Sequence, residues 1–220
     1  MSLSLKEKFK TISKLFLEPK VTFTLMSFRS FGYLLETGWF NSFKSGNPVD
    51  ANQNPIPWFT YPAIDFIADR LNPNSNAFEF GSGNSTLFFA SRIAKLTSIE
   101  HNIDWFEKIK KRIPENTKVV YTSAENIENY LTPLTSTDDK FDIIIVDGLF
   151  RNECIEVSLK HLSEEGVIIL DDSEREEYKE GISILRNNGL KRLDFSGIAP
   201  GIFFRKCTTI FYKDSNCLGI

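Results

Sequence analysis

The sequence contains few of the residues that build disulfide frameworks and metal centres. Its 220 residues include three cysteines and two histidines. Cys154, Cys207 and Cys217 are odd in number and follow neither a disulfide framework nor a metal-ligand spacing. Unpaired cysteines are typical of a reducing compartment, so we expect a cytoplasmic protein. His161 and His101 stand alone in the sequence, and neither is predicted to be catalytic.

Long apolar runs and a basic surplus are also lacking. No stretch approaches the roughly 18 apolar residues that a membrane-spanning helix needs. Lysines interrupt the N-terminal segment, where a signal peptide would be continuously apolar. The net charge is −3, whereas a protein that binds nucleic acid normally has an excess of basic residues. These absences predict an intracellular protein with no transmembrane segment and no nucleic-acid partner.

Strand and helix patterns alternate regularly from residue 77 onward. Strands are predicted at residues 77–80, 96–100, 118–122, 141–146, 166–170, 190–195 and 208–212, with helical patterns between the first six. The runs 143–146 and 167–170 are apolar throughout, as strands covered on both faces of a parallel sheet should be. The last two strands follow one another without a helix, which indicates an antiparallel pair. The pattern predicts an α/β fold with a doubly wound, mostly parallel sheet.

A glycine-rich turn, Glu79-Phe80-Gly81-Ser82-Gly83, joins the first predicted strand to a helix that begins near Ser85. Glycine lacks Cβ, so the backbone can turn tightly and a ligand can approach its amides. Nineteen residues past Gly81, the second strand ends in Glu100. An acid at this spacing is placed to hydrogen-bond ribose hydroxyls. The stretch therefore predicts a nucleoside-cofactor site.

The third glycine of a dinucleotide-binding G-x-G-x-x-G fingerprint is missing, because Thr86 stands in its place. A carboxylate at Glu79 would also repel a pyrophosphate. It suits a ligand that carries an amino group instead.

The stretch Glu79–Gly83 resembles the first motif of class I S-adenosylmethionine-dependent methyltransferases, written E/D-x-G-x-G. The resemblance covers about residues 60–213 and implies a Rossmann-like sheet of seven strands with the last one antiparallel. It also implies S-adenosylmethionine as cofactor, with Glu79, Gly81, Ser82 and Gly83 near its amino-acid part and Glu100 on its ribose. The loop after the third strand, with Ser123 and Ala124, would touch the adenine. His101 adjoins Glu100 and is a further candidate for the adenine pocket.

Three more acids follow predicted central strands. Asp147 follows the fourth strand, and Asp171 and Asp172 follow the fifth, so all three should meet at the carboxyl edge of the sheet. Clustered carboxylates repel one another unless a proton, a cation or a positive ligand lies among them. Arg151 and Arg175 would neutralise part of the charge. The three acids are the predicted catalytic residues, with Asp147 first as a general base; the alternatives are a turn before Gly148 and a helix N-cap at 171–173.

The acids also resemble the metal site of catechol and caffeoyl-coenzyme A O-methyltransferases. Those enzymes hold a divalent cation with an Asp after the fourth strand and an Asp-Asn pair after the fifth. Here Asp172 replaces the Asn. Three carboxylates are still hard-cation ligands, so Mg²⁺ remains a candidate, but the departure from the Asp-Asn pair weighs against a metal.

The N-terminal region, residues 1–59, is predicted to be a helical extension with an aromatic-rich loop before a catalytic domain at 60–220. Residues 1–30 hold a charge balance of +4, which leaves −7 for the remainder. Residues 3–17 form a basic amphipathic pattern that ends at Pro19. It favours a helix packed on the core or on a second subunit, as in a homodimer, over one that contacts a membrane surface weakly.

The next segments are predicted to form a second helix at 21–40 and a loop at 41–57. Aromatic residues flank this loop. They are candidates for a lid or substrate wall, or equally for ordinary core: Trp39, Trp58, Phe59 and Tyr61.

The sequence thus predicts a methyltransferase for a small-molecule or sugar-like acceptor, with oxygen as the methylated atom. Asp147-Gly148-Leu149-Phe150 stands where many amine-directed nucleic-acid methyltransferases carry N-P-P-Y/F, which weighs against DNA adenine or protein glutamine as acceptor. Two alternatives remain: a non-catalytic docking protein that uses its basic helix, and an NAD-dependent oxidoreductase. Thr86 and the terminal strand pair disfavour the second.

Overall fold

Seven strands form one sheet in the order β3-β2-β1-β4-β5-β7-β6 in the computed structural model, which describes residues 4–220. The strands are β1 (Asn76–Phe80), β2 (Lys95–Glu100), β3 (Thr117–Tyr121), β4 (Phe141–Val146), β5 (Leu162–Leu170), β6 (Lys191–Ala199) and β7 (Ile202–Tyr212). Strands β1 to β5 pair in parallel, and β7 is antiparallel to both β5 and β6. The predicted doubly wound sheet with an antiparallel end is confirmed.

The described residues form ten α-helices. Five precede β1, and five lie between successive strands and begin within a few residues of the predicted places. The ten helices are α1 (Leu5–Leu17), α2 (Pro19–Ser27), α3 (Tyr33–Glu36), α4 (Trp39–Ser45), α5 (Tyr61–Ala68), α6 (Asn84–Ala90), α7 (Ile103–Ile109), α8 (Ile127–Thr135), α9 (Arg151–His161) and α10 (Lys179–Asn187). A 3₁₀ turn at Glu176–Tyr178 precedes α10. Side-chain caps fix some of these starts: Asn102 accepts from the Trp105 N–H at α7, and Asn126 accepts from the Asn129 N–H at α8.

Apolar side chains cover both faces of the sheet, which is why the central strands are apolar throughout. One cluster packs α5 and α6 on the sheet through Phe59, Ile64 and Phe89. The other packs α8, α9 and α10 through side chains that include Tyr130 and Leu185. Cys154 and Cys207 are buried as free thiols and Cys217 is partly buried, so the cysteines form no disulfide.

The register of the central strands brings the predicted site residues to one edge. Val146 at the end of β4 pairs with Phe80 of β1 and with Leu170 of β5. One residue further on, the Asp147 N–H donates to the Phe80 carbonyl at 3.1 Å, and the Asp171 N–H donates to the Val146 carbonyl at 3.2 Å. Gly81, Asp147 and Asp171 therefore stand side by side where the strands end.

The predicted single helix at 21–40 is wrong, because this segment forms three short helices. Gly32 and Gly38 interrupt it with positive φ angles of 89° and 78°. A Cβ on Gly38 would lie 2.1 Å from the carbonyl carbon of Asp50, so only glycine fits there. Helix α4 then extends to Ser45, and the predicted loop begins later than expected.

Of the two packings expected for α1, the one on the core is wrong, and the one on a second subunit stays a prediction. Helices α1 and α2 contact each other, and neither contributes a buried residue. The predicted end of α1 at Pro19 is confirmed, since Pro19 opens α2 instead. Within residues 4–220, no helix is both long and apolar enough to cross a membrane.

Candidate functional site

A cavity of about 390 Å³ opens at the carboxyl edge of the sheet. The loops after β1, β2 and β4 form most of its wall, and the segment between α4 and α5 completes it. Its lining residues are Asn47, Pro48, Trp58, Gly81, Ser82, Gly83, Asn84, Ser85, Glu100, His101, Trp105, Asp147, Gly148, Leu149 and Arg151. The volume lies in the range of small-molecule and cofactor sites.

The two glycines of the turn have different roles. Gly81 has φ +91°, and a Cβ there would lie 3.2 Å from the Asp147 carbonyl oxygen. The fold itself therefore requires glycine at position 81. Gly83 is extended, with φ 177°, and the nearest atom to a Cβ would be Ser85 Oγ at 3.9 Å. Nothing in the fold requires glycine at position 83, so the missing side chain leaves room in the cavity.

Glu79 lies beneath the turn and does not line the cavity. Its Oε2 accepts from Thr86 Oγ1 at 2.5 Å and from Ser98 Oγ at 2.8 Å, and Thr86 Oγ1 also accepts from the Gly83 N–H at 2.9 Å. Among the described residues, its Oε1 has no hydrogen-bond partner. Complete burial raises the pKa of Glu79 to about 7, against the effect of its hydroxyl donors. Glu79 thus holds the turn from below.

Glu100 lines the cavity and organises two loops. Its Oε2 accepts from Ser82 Oγ at 2.8 Å and from the Ser82 N–H at 3.3 Å. Its Oε1 accepts from the His101 N–H at 2.9 Å and the Asn102 N–H at 2.8 Å. The carboxylate therefore ties the glycine turn to the loop after β2. Trp105 reinforces the same junction, because its Nε1 donates to the Ser82 carbonyl at 2.8 Å.

Three cations of the protein itself accompany the three predicted acids. Arg151 lies 2.9 Å from Asp147 Oδ1 and 3.7 Å from Asp172 Oδ2. Lys206 Nζ lies 2.7 Å from both Asp171 Oδ2 and Asp172 Oδ1. Arg175 lies 2.5 Å from Asp172 Oδ2. The prediction that Arg151 and Arg175 neutralise part of the charge is confirmed, and Lys206 supplies the third cation.

The three acids differ in exposure. The Asp147 side chain keeps 25% of its surface exposed in the cavity wall. Asp171 and Asp172 are buried and do not line the cavity. Burial raises the pKa of Asp147, as does the nearby Asp171, while Arg151 opposes the shift. Burial also raises the pKa of Asp171, against Lys206. Asp147 is thus the acid of this group that can meet a substrate.

The acid cluster does not fit a divalent cation. The Lys206 ammonium bridges Asp171 and Asp172, the two carboxylates that would be the ligands. Within the described part of the chain, no group of three His, Cys, Asp or Glu side chains is arranged to hold a metal ion. A metal at this position would have to displace a buried cation of the protein.

Apart from Glu79, which lies beneath the turn, the structure separates the predicted cofactor residues into three places. Gly81, Ser82, Gly83, Glu100 and His101 line the cavity. Ser123 lines a second, shallow cavity beside β3, with Thr122 and Asn129. Ala124 packs against the apolar cluster under α8. Neither residue of the loop after β3 reaches the first cavity.

Among the aromatic candidates, Trp58 lines the cavity, whereas Trp39, Phe59 and Tyr61 are buried. The cavity residues that sequence reasoning missed are Asn47, Pro48, Asn84, Trp105 and Leu149. One signal was available for Trp105. It lies three residues past Asn102, the N-cap of α7, and five residues past Glu100, the acid predicted to bind the ribose.

Neither a family model nor a curated protein sequence matches the chain. Solved structures match in fold. An O-methyltransferase from Bacillus cereus in complex with SAH has a TM-score of 0.58 at 12% identity, covering 83% of this chain and 92% of that one. An O-methyltransferase of tomaymycin synthesis from Streptomyces achromogenes, in complex with SAM, has a TM-score of 0.58 at 14% identity, covering 83% and 90%.

A precorrin-6y C5,15-methyltransferase from Geobacter metallireducens has a TM-score of 0.54 at 16% identity, covering 69% of this chain and 86% of that one. At these identities the likeness concerns the fold alone. The chain has the class I methyltransferase fold.

Proposed function

We propose that this chain is a class I S-adenosylmethionine-dependent methyltransferase that methylates an oxygen of a small-molecule or sugar-like acceptor. The observation that carries the proposal is Gly83. It lines the cavity in an extended conformation that any residue can adopt, and nothing in the protein occupies the space of its missing side chain. A glycine that the fold does not need is explained by a ligand that approaches the backbone there.

The residues around the cavity fit S-adenosylmethionine. Gly81, Ser82 and Gly83 would face its amino-acid part, and Glu100 would accept hydrogen bonds from its ribose. Glu79 contributes negative charge from beneath the turn when it is ionised, and this charge favours a ligand with an ammonium and a sulfonium. When bound, the cofactor would supply a methyl group on its sulfonium sulfur. In-line attack of the acceptor oxygen on the methyl carbon would form the O–C bond and break the S–C bond, with S-adenosylhomocysteine as the leaving group.

The acceptor side of the cavity is assigned to Asp147, with Trp58 and Leu149 as neighbouring walls. Methyl transfer depends mainly on positioning, so these residues have to hold the acceptor oxygen and exclude water. The Asp147 carboxylate would take the proton that leaves the acceptor hydroxyl. Arg151 holds this carboxylate at 2.9 Å and fixes its direction.

The proposed class of acceptor is supported by the net charge of the protein and by the solved structures that share its fold. The net charge of −3 disfavours a nucleic acid, and two neighbours of this fold are O-methyltransferases by name. A cytoplasmic location, expected from the free cysteines, belongs to the same proposal.

An NAD-dependent oxidoreductase is disfavoured by Thr86. Its hydroxyl fills the place of the third fingerprint glycine and connects the Gly83 N–H to Glu79. The buried carboxylate below would repel a pyrophosphate in its ionised form.

Titration calorimetry separates the candidates. S-adenosylhomocysteine should bind the full chain with one site, and NAD should give no heat. An acceptor screen with methyl-labelled cofactor then distinguishes an enzyme from a non-catalytic binding protein. Binding of NAD, or no binding of S-adenosylhomocysteine, would contradict the proposal.

A further inference from the structure

Helices α1 and α2 form an exposed apolar surface that the rest of the described chain does not cover. On α1, Leu5, Phe9, Ile12 and Phe16 are 89%, 74%, 52% and 82% exposed. Their spacing of four, three and four residues places them within an arc of about 60° on one helix face. Helix α2 adds Val21, Phe23, Leu25 and Met26, which are all at least half exposed. An exposed apolar stripe like that of α1, with further exposed apolar side chains on the helix next to it, marks an interaction site.

Charge surrounds this apolar stripe. Lys6 and Lys8 lie on either side of it, and Lys10 and Lys14 continue the basic face behind it. The two acids of the segment are placed away from the stripe: Glu7 forms the capping box with Ser4, and Glu18 lies at the helix end. Residues 4–30 contain six basic side chains, and none of them forms an ion pair with a carboxylate within residues 4–220. The segment therefore presents free positive charge beside exposed apolar side chains.

We propose that α1 and α2 dock the protein on an anionic lipid surface. An interfacial helix of this kind inserts its apolar stripe to the level of the acyl chains, while lysines beside the stripe extend to the phosphates. Residues 1–30 have a net charge of +4 and the remainder has −7. A negative surface therefore attracts the α1–α2 region and repels the rest of the protein. The inference does not depend on the proposed enzymatic function.

A second copy of the chain fits this surface less well than lipid does. Two α1–α2 units packed face to face would bring ten helix lysines together with four glutamates, counted as twice the five lysines and two glutamates of one segment. Interhelical ion pairs that select a partner need acids beside the stripe, and the positions beside it are Lys6 and Lys8. An anionic lipid surface complements the same residues without such repulsion.

Flotation of the full chain with vesicles tests the proposal. Wild type should float with phosphatidylglycerol–phosphatidylcholine vesicles and not with phosphatidylcholine alone. Binding should weaken at about 1 M salt, where the Debye length falls to about 3 Å. Phe9→Glu places a charge in the stripe and should reduce partitioning by about tenfold or more. Thr11→Glu makes the same charge change on the opposite face of α1 and is the matched control.

Two further measurements keep the outcome clear. Both substituted residues are exposed, so thermal unfolding of the variants should match wild type. Lys6→Gln with Lys8→Gln removes the lysines on either side of the stripe, keeps the stripe itself and should weaken the preference for anionic lipid. The proposal is overturned if wild type does not float, or if Phe9→Glu and Thr11→Glu behave alike. A lipid-free dimer in light scattering that Phe9→Glu dissolves would assign the surface to a second copy instead.

Discussion

Lys206 and Asp171 form a buried ion pair across the β5–β7 pairing, with 2.7 Å between Nζ and Oδ2. Asp171 is 1% exposed, and its other oxygen accepts from Thr208 Oγ1 at 2.8 Å. The Asp171 carbonyl in turn accepts from Arg151, which holds Asp147 in the cavity wall. The pair therefore connects the antiparallel end of the sheet to the candidate base.

Lys206→Met should destabilise the protein strongly. Removing the ammonium leaves Asp171 and Asp172 buried beside each other without their shared cation, which costs about 3–5 kcal/mol in free energy of unfolding. Lys213→Met, at an exposed position just past β7, is the control and should change stability by less than about 0.5 kcal/mol. Urea unfolding monitored by circular dichroism gives both values. Equal stability of the two variants would show that the ion pair contributes nothing net.

A chelator should leave the protein unchanged. Lys206 already bridges the two carboxylates that a cation would need, so neither EDTA nor added Mg²⁺ should shift the melting temperature or the affinity for S-adenosylhomocysteine. Metal analysis of the purified chain provides the independent measurement. A stoichiometric divalent ion, or binding that Mg²⁺ restores after EDTA, would assign a metal role to the cluster.

The two glycines of the turn provide a matched pair of variants. Gly83→Ala should change stability by less than about 1 kcal/mol, because the unfolded chain loses freedom while alanine is a poorer N-cap for α6 than glycine. It should still weaken S-adenosylhomocysteine binding by about 1–3 kcal/mol, since the methyl group occupies ligand space.

Gly81→Ala should do the reverse. Its φ of +91° and the 3.2 Å approach to Asp147 make alanine costly to folding by about 1–3 kcal/mol. Calorimetry and thermal unfolding of both variants test this. If the Gly83→Ala protein binds S-adenosylhomocysteine as tightly as wild type, the ligand does not contact the cavity wall at Gly83.

The fold could be predicted because its signals are local and repeated. The all-apolar runs of β4 and β5 are readable as buried strands, and two successive strands without a helix reveal the antiparallel end. The division of residues 21–40 into three short helices could not be predicted from the sequence. It depends on positive φ at Gly32 and Gly38, and at Gly38 the cause is a contact with Asp50 that is distant in sequence.

The site was predictable only where residues follow strand ends. Gly81, Glu100 and Asp147, which line the cavity, were predicted in this way. Lys206 was missed because β7 begins at Ile202, inside a stretch predicted as a connection, and its partner is set by the β5–β7 register. The burial of Asp171 and Asp172 behind Asp147 likewise depends on tertiary packing, since the sequence shows them only as acids after a strand.

Glu79→Gln should change how stability depends on pH. The pKa of Glu79 is raised from 4.5 to about 7, so between these values the folded state keeps a proton that the unfolded state has lost. Wild-type stability from this group therefore falls as pH rises through that window, by about 3 kcal/mol in total. Glutamine stays neutral and should show no such fall.

The stability of Glu79→Gln minus that of wild type should accordingly rise by about 3 kcal/mol from about pH 4 to about pH 8. The exposed Glu115→Gln makes the same chemical change away from the turn and is the control. Urea unfolding across this range is the measurement. A difference for Glu79→Gln that does not vary with pH would mean that Glu79 titrates at its ordinary value.

Asp147→Asn should separate catalysis from binding. Asparagine keeps the size of the side chain and an oxygen for Arg151 but cannot accept the acceptor's proton, so kcat should fall by about 10²–10⁴ with the acceptor found in the screen. S-adenosylhomocysteine binding and the melting temperature should stay near wild type. In wild type, kcat should fall as pH is lowered through the pKa of Asp147, which burial and Asp171 raise above that of a free aspartate.

The exposed Asp138→Asn serves as control and should keep both kcat and its pH profile. An Asp147→Asn enzyme as active as wild type would mean that the carboxylate takes no proton. Asp147 would then be a positioning partner of Arg151, and catalysis would rest on the alignment of the two substrates in the cavity.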